Sequence, residues 1–166
     1  MGRKLVIGVL LKSGIVLLVL SAVKPVTPWL VYNASASVPL GYYRVSVLST
    51  PVKVGDLVLV QTPETVRDMA DTRRYIPKTV PMIKHIAAIS GDEVCAVGNT
   101  VTINGHEAAH RQSRDRLGRS LPWWSGCRWL KDNEVFLLNT RVPDSFDGRY
   151  FGVTSATSIM GRVTPL

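Results

Sequence analysis

The sequence predicts a mainly β domain behind one N-terminal membrane-spanning helix, and three observations carry that expectation. Ten prolines, thirteen glycines and only 19% charged residues describe a compact, turn-rich body rather than a helical bundle or a disordered tail. Short β-branched runs recur between Gly, Pro and Asp. One long apolar stretch lies at the N-terminus and none elsewhere. At 166 residues the chain holds one domain, and the roughly 130 residues after the apolar stretch can bury a single core. The formal charge is +8, yet Lys and Arg are scattered singly and in pairs. That pattern argues against a nucleic-acid stripe and fits anionic lipid or acidic partners.

Residues 1–24 form the expected membrane anchor. Positions 5–23 read LVIGVLLKSGIVLLVLSAV, close to the ~20 residues that cross a bilayer as a helix. Lys12 interrupts it, at a cost of about 2.5–3.5 kcal/mol unless its stem snorkels. Arg3 and Lys4 precede the span, so the positive-inside tendency leaves the N-terminus in the cytoplasm and residues 25–166 exported, with Trp29 and Tyr32 at the outer interface. The rival reading is a cleaved secretory signal with Ala34-Ser35-Ala36 as the cleavage region. Either way the domain is exported.

Within that domain, 45–48 (VSVL) and 57–60 (LVLV) read as strands around a Lys53–Asp56 turn and are expected to pair with each other or with near neighbours. The polar segment 61–79 is expected to be a surface loop with one helical turn near 65–70. Strands follow at 82–89 (MIKHIAAI), 93–96 (EVCA) and 100–104, the last closed by the hairpin signal Asn104-Gly105. Residues 106–129 look like an inserted loop, with Trp123, Trp124 and Trp129 around Cys127 as a candidate protein-binding patch. The run 134–138 (EVFLL) is a buried strand, giving about eight strands and no long soluble helix. Cys95 and Cys127, two cysteines in an exported segment, predict one disulfide. Two buried thiols are the alternative. A zinc site with His106 and His110 lacks a tight ligand cluster.

A turn that can present a hydroxyl, Asn33-Ala34-Ser35-Ala36-Ser37-Val38-Pro39-Leu40-Gly41, directly follows the anchor. Serine needs a base, and His85, His106 and His110 have no evident acidic setting. Lys84 differs: it interrupts an apolar strand beside Met82, Ile83 and Ile86, where desolvation lowers a lysine's pKa and frees its amine. Taken alone, Ser37 also fits a backbone-bonded turn serine and Lys84 an edge-strand guard.

Three segments in order, Ser35-Ala36-Ser37-Val38-Pro39, Lys84 to Asp92 (KHIAAISGD) and Asp144 to Gly152 (DSFDGRYFG), resemble the boxes of type I signal peptidases. The serine box lacks one residue before Pro39, and His85 stands where the family has Arg. Together with NASASVPLGYYR, the short chain and the stretch from Gly118 to Cys127, these departures resemble the TraF-type branch, which serves conjugative plasmid transfer. The resemblance implies a signal-peptidase-like β domain and a Ser/Lys dyad, with Ser37 as nucleophile and Lys84 as general base. It further implies an oxyanion hole from the Ser35 hydroxyl and the Ser37 N–H, with Ser145 orienting the lysine and Asp147 and Arg149 supporting the site. An ordinary salt bridge is the plainer reading of that last pair.

No cofactor and no metal are implied. The implied partners are a propilin or other pre-protein, inner-membrane lipid and other mating-pair-formation proteins, with the catalytic domain in the periplasm. The implied activity is trimming of a propilin and joining of its ends; the residues themselves leave water and amine open as acceptors. A general leader peptidase is the nearest alternative function. A non-catalytic periplasmic scaffold is the alternative of another class.

Overall fold

A computed structural model describes residues 27–166. The expected anchor at 1–24 lies outside the described residues, and among these no helix is long and apolar enough to cross a membrane. The described chain runs β1 (Leu30–Asn33), β2 (Gly41–Ser46), β3 (Leu57–Val60), α1 (Glu64–Thr72), β4 (Met82–Ala88), β5 (Glu93–Val97), β6 (Thr100–Ile103), β7 (His106–His110), β8 (Gly126–Trp129), β9 (Glu134–Leu138), α2 (Gly148–Phe151), β10 (Thr154–Ser155) and β11 (Ile159–Pro165). It is mainly β, as the turn-rich composition predicts.

Two antiparallel sheets divide these strands. The larger has the order β1-β2-β11-β3-β4-β9-β10 and the smaller β7-β6-β5-β8. Apolar residues of β3, β4 and β9, among them Val58, Ile86 and Leu137, form the centre of the large sheet's core. A second cluster, from Val94 and Val101 to Phe136 and Leu138, packs the small sheet onto β9. The third cluster matters most for the site: Val38, Tyr43, Leu59, Ile83 and Val163 pack together. Val38 adjoins Ser37 and Ile83 adjoins Lys84. Each such buried aliphatic side chain contributes about 1.5–3 kcal/mol, so the core itself holds the serine loop near the lysine strand.

The strands around the Lys53–Asp56 turn take the second of their two expected pairings, each with a near neighbour, β2 with β1 and β3 with β4; between them lies β11, pairing Val163 with Val45 and Arg162 with Val58. Close packing there needs Gly161, where a Cβ would fall 2.6 Å from the Ser46 carbonyl oxygen. The helical turn near 65–70 is a nine-residue helix that buries Val66 and Ala70, an i,i+4 pair on one face. Residues 106–129 are more than a loop, since β7 and β8 complete the small sheet. The Asn104-Gly105 hairpin forms as expected, both residues having positive φ (50° and 77°), the signature of a type I′ turn.

Cys95 and Cys127 face each other across β5 and β8 and form a disulfide. Glu93 lies close to the two sulfurs, but a disulfide offers no thiolate to a metal. His106 and His110 are on β7, two strands away from β5. Of the three tryptophans near Cys127, Trp124 packs toward the core and donates from its indole to the Gly148 carbonyl, Trp123 lies over the Arg111 guanidinium, and Trp129 is exposed.

Candidate active site

Residues 34–40 connect β1 to β2 and carry both serines. The loop is shaped from within by buried Asn33, whose amide nitrogen donates to the carbonyls of Ser35, Val38 and Pro39 at 2.7, 2.9 and 3.1 Å. Its Oδ1 accepts from the Ser35 N–H at 3.2 Å and the Ser35 hydroxyl at 2.9 Å. The two serine hydroxyls are 2.9 Å apart. Because the Ser35 proton is committed to a carboxamide oxygen that can only accept, Ser37 is the donor of that pair.

Lys84 sits in the middle of β4 and is 4% exposed. Its Nζ donates to the Ser145 hydroxyl at 2.8 Å, and no carboxylate lies within salt-bridge distance of it among the described residues. Burial pulls its pKa from 10.5 down to about 8; the negative charge of Asp147 acts upward and the positive charge of Arg149 downward. An appreciable fraction of such an amine is neutral near pH 8. Ser145 is thus the hydrogen-bond partner of that amine.

Asp147 and Arg149 form a fully buried ion pair (0% and 1% exposed). The guanidinium donates to the Asp147 carboxylate at 2.8 and 3.1 Å and to the carbonyls of Asn139, Pro143 and His110. Asp147 also caps α2 by accepting from the Arg149 N–H. Charges buried this deeply persist only when every donor and acceptor is used. Neither residue hydrogen-bonds Ser37 or Lys84. The pair braces the segment that carries Ser145.

Two asparagines had no signature in the sequence. Asn33 is one; the other is Asn139, 3% exposed. The Asn139 amide donates to the Ser37 carbonyl at 2.8 Å and to the Ile83 carbonyl at 3.4 Å, and its Oδ1 accepts from the His85 N–H at 3.2 Å.

Ser35, Ser37, Lys84 and Ser145 all line one open cavity of about 880 Å³. Its floor is apolar, with Val31, Leu59, Met82, Ile83 and Phe146. The opposite wall is the excursion between β7 and β8, fastened to the α1–β4 connection by Tyr75, whose hydroxyl donates to Asp115 at 2.5 Å. Burial pushes the Asp115 carboxyl up, but the Tyr75 hydroxyl and the backbone and side chain of Arg119 outweigh it and hold the carboxyl well below the usual range. No hydrogen bond joins Ser37 to Lys84 among the described residues: the serine is bonded to Ser35 and the lysine to Ser145. His106 and His110 are not among the lining residues.

The family model described as signal peptidase, peptidase S26, matches residues 3–166. A protein of Sinorhizobium fredii (strain NBRC 101917 / NGR234) named "Probable conjugal transfer protein TraF" is 32% identical over 139 residues, 78% of this chain and 72% of the relative. A "Plasmid transfer protein TraF" of Escherichia coli is 33% identical over 144 residues, 81% of this chain and 80% of the relative. Among solved structures, a signal peptidase I from Enterococcus faecalis V583 aligns with a TM-score of 0.42 at 17% identity, over 72% of this chain and 100% of that one.

Proposed function

The chain belongs to the signal peptidase S26 family, and from that premise we propose that it is a membrane-anchored serine endopeptidase of conjugative transfer using Ser37 as nucleophile and Lys84 as general base. The observation that carries this reading is the state of Lys84: buried, unpaired with any carboxylate among the described residues, hydrogen-bonded to Ser145, and facing the cavity that Ser37 also lines. A lysine kept for solubility or structure would be exposed or ion-paired.

In the proposed reaction, Ser37 Oγ attacks the scissile carbonyl while the neutral Lys84 amine takes its proton. The oxyanion is met by the Ser37 N–H and by the Ser35 hydroxyl, which turns from Asn33 to reach it; each such donor is worth about 2.7–4 kcal/mol in the transition state. Collapse expels the leaving amine, which takes the proton from Lys84 and leaves an ester on Ser37. A water or a peptide α-amine then attacks the ester, and the lysine again accepts and returns one proton. The first acceptor trims a precursor; the second joins its ends. The relatives' names support a role in conjugal transfer, and a propilin is the substrate proposed within it. With the anchor at 1–24 in the inner membrane and the catalytic domain in the periplasm, the cavity would open near the bilayer, where Trp29 and Tyr32 are exposed.

The test is processing of a conjugal pilin precursor in membranes carrying wild type, Ser37→Ala or Lys84→Ala, read by intact mass. Loss in both variants supports the dyad. A wild-type product one water lighter than the linear trimmed peptide identifies the cyclising branch, and a linear product the hydrolytic one. Full processing by both variants leaves a scaffold.

A further inference from the structure

Strand β9 leaves the large sheet just opposite Lys84. Its pairing with β4 runs to His85 and Leu138, the next antiparallel partners being Lys84 and Asn139. There the backbone of Asn139 turns away, its N–H donating to Asp147 at 3.0 Å and its carbonyl accepting from Arg149 at 3.1 Å. The side chain takes over the ladder: Oδ1 accepts from the His85 N–H, and Nδ2 donates to the Ile83 carbonyl. Its shortest bond, 2.8 Å, reaches the Ser37 carbonyl, 102 residues away in sequence. Asn33 holds the carbonyls of Ser35, Val38 and Pro39, but not that of Ser37.

We propose that Asn139 is a positioning residue whose single carboxamide fixes the Ser37 hydroxyl relative to the Lys84 amine. It grips the residues on both sides of the lysine and the backbone of the serine itself. Only a carboxamide meets all three partners, since two are acceptors and one is a donor. The buried Asp147–Arg149 pair acts through it by holding its backbone. This role rests on the Ser37/Lys84 reading.

Acylation of the full chain in detergent micelles by p-nitrophenyl acetate tests it, followed by p-nitrophenolate release and by peptide mapping of acetylated Ser37. If Ser37→Ala or Lys84→Met reacts like wild type, the dyad itself falls and this role with it. With those two controls inert, Asn139→Ala is expected to acylate about 10- to 100-fold more slowly per folded molecule with KM retained, the size of a sub-ångström misplacement. A rate within about twofold of wild type overturns the role, because a merely structural residue lowers the melting temperature and not the rate of the folded fraction.

Should Asn139→Ala not fold, Asn139→Asp decides. A carboxylate keeps the acceptor for His85, loses the donor to Ser37 and adds negative charge beside Lys84. Slower acylation with the acid limb of the pH profile moved upward supports the role; a wild-type rate and limb overturn it.

Discussion

Lys84 and Ser145 are 61 positions apart in sequence and 2.8 Å apart in space, both at most 4% exposed. The serine hydroxyl is the group toward which the lysine amine is aimed. Ser145→Ala leaves that amine without its hydrogen-bond partner, so kcat is expected to fall by about 10- to 100-fold while KM changes little. Steady-state kinetics on a processed precursor peptide checks this, and an unchanged kcat would mean that Ser145 has no part in aiming the base.

With Lys84 as the proposed base, catalysis and stability are expected to respond to pH through the same amine. The acylation rate should climb as pH rises through about 8, where Lys84 loses its proton. Below that value both the folded and unfolded chains carry the charged lysine, and its burial penalty is fully present. Between about 8 and 10.5 the folded chain has released a proton that the unfolded chain still holds, so stability rises with pH, by about 3 kcal/mol in all. Lys84→Met should abolish activity, raise the urea midpoint at neutral pH and flatten that rise.

Asp147 acts on Lys84 at a distance, its charge holding the lysine's pKa up. Asp147→Asn should therefore shift the acid limb of the rate profile to lower pH. Arg149→Ala instead leaves a carboxylate buried at 0% exposure without its cation and should cost about 3–5 kcal/mol. Asp147→Asn likewise orphans the Arg149 guanidinium, so chemical denaturation measures a stability loss in both variants and the pH profile isolates the charge effect on Lys84.

The disulfide spans 32 positions in the small sheet, on strands that contribute no residue to the cavity lining. Cys95→Ala with Cys127→Ala should lower stability by about 3–4 kcal/mol on the loop-entropy model, with kcat preserved at temperatures where the variant stays folded. A lost kcat in folded variant would connect the small sheet to the site.

Lys84 was legible because one cation breaks an otherwise apolar strand, and Asn104-Gly105 because its turn chemistry is local. Strands β7 and β8 were not, since HEAAH and GCRW are largely exposed and lack the alternation that burial on one face imposes. Asn139 was invisible for a different reason: a lone asparagine in a polar stretch carries no pattern, and its worth here comes from partners such as Ser37, 102 positions away. Asn33 stood inside the quoted serine segment, but its three carbonyl partners, two to six positions away, appear only in the folded loop. Strands β2 and β3 pair with their near neighbours β1 and β4, as sequence neighbours usually do, but nothing local announces that β11 takes the slot between them.

That slot has a consequence in time. The half of the large sheet bearing the Ser37 loop, β1 and β2, is joined by strand pairing to the half bearing Lys84 through β11, alongside the side-chain bond from Asn139 to the Ser37 carbonyl. During synthesis Ser37 and Lys84 both emerge long before the strand that stitches their halves together. A chain lacking residues 159–165 thus has both side chains but no continuous sheet to bring them together, and under the proposed dyad its activity is expected only once β11 is in place.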